Sequence, residues 1–336
     1  MTSGELQIAV IIAAYNASAT IARSVQSALA AAHVAEVVVV DDASSDDTAK
    51  AATAASAGDP RFKMLQQEVN QGPSAARNRA IRESHAPLIA ILDADDFFLP
   101  ERFERILAED DWDLCADNIV FVADPTELDG FSLETNGLTQ TQSAVVIDFQ
   151  HFVRGNIAQP RGFSAQRRVR GELGFLKPVI RRAFLDEHGL SYDEMCRLGE
   201  DFLLYTRSLA LGARMKVVPS CGYAALVRSN SLSSQHRIED LAALLNGSRA
   251  ILADLPLSPD DRHALEQHAA SIERKVHHRE VLRMRGERGI VAGILEGLGK
   301  PTALVDIASE RLLKPHERQS TPRFLMTDES LTEHAR

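Results

Sequence analysis

Three short runs of small and β-branched apolar residues dominate the first hundred positions: Ile8 to Ala13, Val37 to Val40 and Leu88 to Leu92. Apolar runs of about 4–8 residues with no polar alternation are what strands covered on both faces require. A shorter mixed run, Phe62 to Gln66, reads as a further strand. Stretches of helical composition separate them: Ala19 to Ala32, a segment opened by the cap-forming Ser44-Ser-Asp-Asp and running to Ala57, and Ala75 to Ser84. Asn70-Gln-Gly-Pro-Ser is a turn that puts Pro73 near a first helical position, where its missing N–H costs nothing. Strand and helix alternate, and that order predicts an α/β fold: a mostly parallel, Rossmann-like sheet flanked by helices.

In open sheets of this kind, ligands bind beyond the carboxyl ends of the strands. The residues there are Ala13-Ala14-Tyr15-Asn16, then Asp41-Asp42, then Asn70 to Gly72 with Arg77-Asn78 a turn later, then Asp93-Ala94-Asp95-Asp96. Two of the four ends bear clustered acids. Crowded carboxylates are costly unless a cation neutralises them. Mg²⁺ and Mn²⁺ prefer such oxygens and commonly bridge substrate phosphates. The chain has 47 acids against 37 Lys and Arg, a net charge of −10, so a local divalent cation is its physical route to a diphosphate. The same charge, with only 5% aromatics, argues against nucleic-acid binding. No G-x-G-x-x-G follows the first strand and no G-x-x-x-x-G-K-[ST] occurs, which disfavours a dehydrogenase and a P-loop NTPase.

The ordered set A-A-Y-N, V-D-D-A-S-S-D-D-T, N-x-G-P-S-x-A-R-N, L-D-A-D-D and L-G-E-D resembles family 2 glycosyltransferases. The resemblance implies the GT-A fold, a nucleotide-diphosphate sugar donor, a divalent metal and inversion at the anomeric carbon. The later stretches G-F-L-K-P-V-I-R-R, R-L-G-E-D-F-L-L-Y and V-R-S-N-S-L-S resemble the bacterial exopolysaccharide glucosyltransferases of the succinoglycan type. That narrower likeness implies UDP-glucose as donor and a growing, lipid-linked glycan as acceptor. It also implies a GT-A domain over 1–235, with a nucleotide-binding half (1–110) and an acceptor half (111–235). A helical extension (236–314) and a flexible tail (315–336) follow.

Carried over residue by residue, the resemblance places Ala13, Tyr15, Asn16, Asp41, Asp42, Gly72, Arg77, Asp93, Ala94 and Arg228 around the nucleotide sugar. Ala13 stands where the family often has a hydroxyl or Pro, so one contact to the base is missing. Asp95 is the metal ligand of the D-x-D motif. Asp201 is the base that takes the acceptor proton, with Glu200 beside it as the alternative. Many relatives have a metal-binding histidine where this chain has Val227-Arg228-Ser229, so Arg228 would meet the diphosphate as a cation instead.

Residues 154 to 182 hold eight basic side chains against the single acid Glu172. Two readings stay open: a solvated loop, or an acceptor side that includes Lys177, Arg181 and Arg182 and meets an anionic lipid surface. The apolar runs fall short of a membrane span and no leader pattern opens the chain, so a cytoplasmic enzyme, at most peripheral to the membrane, is expected. Cys115, Cys196 and Cys221 form no motif and are expected to be inert; His263, His268, His277 and His278 are expected on a solvated helix. Two other functions share these features: a sugar-nucleotide nucleotidyltransferase, disfavoured because A-A-Y-N-A-S is no basic Gly-rich loop, and a non-catalytic nucleotide-sugar binder, disfavoured by intact Asp95 and Asp201.

Overall fold

A computed structural model describes residues 7–129, 143–157, 173–227, 237–289 and 321–326. Its strands β1 (Ile8–Ala14), β2 (Val34–Asp41), β3 (Phe62–Gln66) and β4 (Leu88–Ile91) pair in parallel in the order β3-β2-β1-β4. The apolar runs of β1, β2 and β4 are buried on both faces because helices cover them. Those helices are α1 (Ile21–Ala30), α2 (Thr48–Ala55) and α3 (Pro73–Arg82), and Pro73 opens α3 as the sequence predicts. The chain leaves β1 toward β2 on one side and returns to β4 on the other. This is the strand-order reversal at which a crevice opens beyond the carboxyl ends.

The second half adds to the same sheet. β5 (Phe97–Phe98), α4 (Arg102–Leu107), β6 (Leu114–Val122), β7 (Val145–Ile147), α5 (Phe149–Gly155), β8 (Val179–Arg181), α6 (Arg182–His188), α7 (Glu200–Ala210) and β9 (Met215–Leu226) follow in order. β8 lies antiparallel to both β4 and β6, while β6 and β9 are parallel. The mostly parallel sheet with flanking helices is therefore as predicted. Sequence pattern reads 110–150 as irregular strands and polar loops, yet β6 is a nine-residue strand almost wholly buried. Asp117 and Asn118 interrupt its apolar pattern, and both are buried with partners from other elements. Likewise Met215–Leu226 forms one twelve-residue strand, β9, although Pro219 and Gly222 break its sequence pattern.

The C-terminal helices α8 (Ile238–Asp254) and α9 (Pro259–Arg288) pack on this core. Gly247 lets α8 lie against α7, since a Cβ there would collide with Leu203. An aromatic stack runs from Phe152 on α5 through Phe202 on α7 to His268 on α9, with ring centroids 5.7 and 4.1 Å apart. His268 is thus buried, not solvated as its helix suggested. The expectation of a loose tail fails at residues 321–326. There β10 (Arg323–Phe324) pairs antiparallel with β6, and Asn118 clamps Met326 through its backbone N–H and carbonyl, each at 2.9 Å. Among the described residues no helix is long and apolar enough to cross a membrane.

Burial holds the His268 imidazole down to about 3, against an ordinary value near 6.5 in the unfolded chain. The unfolded state therefore binds a proton that the folded state refuses. Stability should fall as pH drops below about 6.5, by roughly 2 kcal/mol at pH 5. Urea unfolding of the wild type and His268→Phe at pH 7 and pH 5 measures it: the variant should lose less stability than the wild type over that interval. Equal losses would refute the assignment.

Candidate active site

The four carboxyl ends of β1 to β4 meet at the crevice, tied by side chains of the loops themselves. Asn16 accepts from the Ser45 N–H at 2.9 Å and donates its own N–H to Ser44 Oγ at 2.8 Å, joining the loops after β1 and β2. Asp41 accepts from the Ser44 N–H at 3.1 Å. Asp42 is 2% exposed and accepts from the Gln71 and Gly72 N–H groups, both at 2.7 Å, and from Gln67 Nε2 at 2.6 Å. Both its oxygens thus order the loop that leads into α3. Gly72 begins that helix at φ +93°, a conformation side chains resist, and a Cβ there would also crowd Arg197. Tyr15 projects outward at 53% exposure beside the partly buried Ala13. Ala94 is buried, and its carbonyl accepts from Thr20 Oγ1 at 2.9 Å.

The centre of the site is a cluster of charges from four parts of the chain, with Arg77, Lys177 and Asp201 buried and Asp93 and Glu200 partly so. Arg77 on α3 donates through Nη1 to Glu200 at 2.6 Å and through Nη2 to Asp93 at 2.7 Å, and lies 3.7 Å from Asp201. Its guanidinium rests over the Tyr192 ring at 5.3 Å. Lys177, just before β8, bridges Asp201 at 2.6 Å and Asp93 at 3.0 Å. Glu200 and Asp201 occupy the first turn of α7, where the helix N-terminus favours negative charge. Gly199 makes the entry to that helix at φ +79°.

Three carboxylates thus face two cations, and the balance differs at each. Against the penalty of burial, Lys177 and Arg77 hold the Asp93 carboxyl well below the usual range. Burial pushes Glu200 upward against the pull of Arg77, and the adjacent Asp201 adds to the rise. Lys177 is buried, but Asp201 and Asp93 hold its ammonium above its ordinary value. Asp96, at the end of the same loop as Asp93, accepts from the Tyr223 hydroxyl at 2.7 Å and the Leu226 N–H at 2.8 Å. Burial raises its carboxyl well up, with Asp95 and Asp93 adding to the effect.

The structure brings Arg77, Asp93, Glu200 and Asp201 into one cluster and adds Lys177, which the sequence placed on the acceptor side. Arg181 and Arg182 are elsewhere. They pair with the amino-terminal end of β4, away from Asp93. Arg181 is spent on the Trp112 carbonyl and ring, and Arg182 on the Ala86 and Ile81 carbonyls and the Ser84 hydroxyl. Arg228, like most of the basic stretch (158–172), lies outside the described residues. Sequence reasoning passed over Tyr192, Tyr223, Arg102 and Asp117. Only Asp117, an acid inside an apolar run, carries a local signal that a buried partner is needed. Cys115 and Cys196 are buried and Cys221 partly so; burial pushes the Cys196 thiol up to about 12, which makes it a poor nucleophile.

Arg77 works through the spacing of two nitrogens, not through charge alone. Arg77→Lys keeps the charge but reaches Glu200 or Asp93, not both. Turnover should fall about tenfold or more while thermal unfolding remains cooperative. A Lys variant with wild-type turnover would show that the fork is dispensable.

Comparison with known proteins agrees with this architecture. The glycosyl transferase family 2 profile matches residues 9–148. The succinoglycan biosynthesis protein ExoU of Rhizobium meliloti (strain 1021) is 47% identical over 93% of this chain and 88% of its own. ExoO of the same strain is 34% identical over 83% of this chain and 73% of its own. Among solved structures, S. aureus TarS 1–349 in complex with UDP-GlcNAc aligns with a TM-score of 0.60 at 17% identity, covering 95% of each chain. The mannosyltransferase PcManGT from Pyrobaculum calidifontis, in complex with GDP-Man and Mn²⁺, aligns with a TM-score of 0.52 at 16% identity over 92% of this chain and 88% of that one. These two share the fold, and the sequence relatives decide the family: the chain belongs to glycosyl transferase family 2 and is a glycosyltransferase of the GT-A type.

Proposed function

We propose that this enzyme transfers a sugar, glucose from UDP-glucose, onto a growing lipid-linked exopolysaccharide of the succinoglycan type, with inversion at the anomeric carbon. The observation that carries the reading is the joining of Asp93, at the end of β4, to Asp201 and Glu200, at the start of α7, by two buried cations. It supports a donor side and a proton-accepting side held at a fixed separation. The likeness to ExoU, 47% over nearly the whole length, supports the exopolysaccharide acceptor. Lys177, Arg181 and Arg182 are engaged elsewhere, but other basic residues of the stretch 154–182, Arg161, Arg167, Arg168 and Arg170, suit an acceptor presented at an anionic lipid surface.

In this reading Asp201 takes the proton of the acceptor hydroxyl as its oxygen forms the new bond to the anomeric carbon. The bond from that carbon to the nucleotide diphosphate breaks on the opposite side, and the electron pair leaves with the diphosphate. An α-linked donor then yields a β-glycoside. Arg77 and Lys177 keep Asp93, Glu200 and Asp201 in register while the reacting groups approach. Tyr15, outward-facing beside the first strand end, offers a ring for the base.

The donor set suits a divalent cation shared with the substrate. Asp93-Ala94-Asp95 matches the D-x-D motif, and that match supports Asp95 as the loop's carboxylate for a metal. Among the described residues no group of three or more His, Cys, Asp or Glu could hold a metal by protein ligands alone. One or two carboxylates plus substrate phosphates is how Mg²⁺ is usually held. A cation held there by Asp95 and the substrate phosphates would supply positive charge to offset that of the departing diphosphate.

Asp201→Asn should keep UDP-glucose affinity and lose transfer by about 10²–10⁴-fold. The assay is UDP release in the presence of lipid-linked saccharides extracted from exopolysaccharide-producing membranes. Transfer at the wild-type rate would reject Asp201 as the base. Asp95→Ala should abolish the part of UDP affinity that depends on Mn²⁺, measured by calorimetry with and without the metal. An unchanged Mn²⁺ dependence would remove Asp95 from the metal site.

A further inference from the structure

Behind the charge cluster lies a second buried ion pair that reaches neither solvent nor the crevice. Arg102 on α4 donates through Nε to Asp117 on β6 at 3.1 Å, with side-chain exposures of 1% and 0%. Three rings enclose the guanidinium: Phe98, Tyr223 and Phe103, at 4.6, 5.1 and 5.5 Å. Burying such a pair costs desolvation that an apolar pair of similar volume would avoid. Here that cost is only partly recovered: Arg102 Nη1 lacks a hydrogen-bond partner, and burial raises the Asp117 carboxyl against the pull of Arg102 and the Gly222 N–H. As a device for stability the pair is badly built.

As a device for position it is well built. Arg102 Nη2 donates to the backbone carbonyl of Lys177. That carbonyl precedes Pro178, whose ring restricts Lys177 to extended backbone. Lys177 is therefore held from behind by Arg102 while its ammonium reaches forward to Asp201 and Asp93. Tyr223, one wall of the cage, has its own forward contacts: its hydroxyl donates to Asp96 and accepts from the Asp93 N–H at 3.2 Å. The arrangement depends on Gly222, where a Cβ would clash with Asp117 Oδ2 and come within 2.5 Å of Arg102 Cβ.

We propose that Arg102, anchored by Asp117, is a positioning residue for the transfer reaction: it fixes the Lys177 backbone so that the ammonium meets Asp201 and Asp93 together. This rests on the reading of the charge cluster as the reacting centre. Arg102 touches no substrate. Its effect passes through Lys177, and displacements of about 1 Å at a reacting group lower rates by up to about 10²-fold.

A double-mutant cycle tests it on the full chain. Single-turnover UDP release from UDP-glucose with Mn²⁺ and the lipid-linked saccharides is measured for Arg102→Met, Lys177→Met and the pair, with UDP affinity by calorimetry alongside. Arg102→Met should lower the rate about tenfold or more with UDP affinity within about twofold of wild type. Arg102→Lys, which keeps a donor for the carbonyl, should recover part of that loss. In the Lys177→Met background, Arg102→Met should cost no more than about twofold further, since residues acting through one path are not additive. Losses that multiply in the double variant, or wild-type turnover in Arg102→Met, would overturn the proposal. A merely structural Arg102 would lower the melting temperature and multiply its effect onto any background. If Arg102→Met does not fold, Asp117→Asn, which loosens the anchor and keeps the cage, enters the same cycle with the same two outcomes. Asp201→Asn measured beside them reports on the base separately, so a wrong base and an absent coupling give different results.

Discussion

Everything at the crevice depends on five charges that no solvent separates: Arg77 and Lys177 against Asp93, Glu200 and Asp201. Their groups come from α3, the segment before β8, the loop after β4 and the first turn of α7. Removing Arg77 would leave Glu200 without its ion-pair partner, and removing Lys177 would leave Asp201 only the 3.7 Å contact to Arg77; breaking a buried pair in this way costs several kcal/mol. The network therefore works as a lock between the two halves of the sheet. It holds Asp93 and the two acids of α7, Glu200 and Asp201, at a separation that neither half could set alone.

On the proposed reading, the lock also explains how an acidic protein would handle a phosphorylated donor. The net charge of −10 is an average; at the crevice the acids are matched by cations and backbone N–H groups. Asp42 is spent on the Gln71 and Gly72 N–H groups, and Asp96 on Tyr223 and Leu226. These acids shape loops, and the loops present Asp95 and Tyr15 at the crevice. Acids that would otherwise repel a diphosphate are thereby converted into structure.

Rigidity is layered outward from there. The Arg102–Asp117 pair lies behind Lys177, the Phe152–Phe202–His268 stack lies behind Asp201, and β10 closes over the side of β6 near Asn118. Each layer links elements far apart in the chain. The C-terminal helices belong to this support because α9 supplies His268 to the stack and α8 supplies Leu244 and Gly247 to the packing on α7.

The central half-sheet was legible in the sequence because a strand buried on both faces must be apolar throughout and must end at polar residues. The apolar runs inside β1, β2 and β4, Ile8 to Ala13, Val37 to Val40 and Leu88 to Ile91, obey that local rule. So does the order of motifs that marks the family, since each motif stands at a strand end or a helix start. Local patterns say nothing about partners, and there the reading stopped. Lys177, Arg181 and Arg182 look alike in one basic stretch, yet one enters the reacting cluster and two are spent at the opposite end of β4. His268 looks like a solvated helical residue and is buried against Phe202. Sequence by itself determined the first half of the sheet, the crevice at its strand ends and the acids there, because these follow from periodicity and residue chemistry over a few positions. Only tertiary structure decided which cation meets which acid, because Coulomb energy at 3 Å depends on contacts between segments up to 123 residues apart.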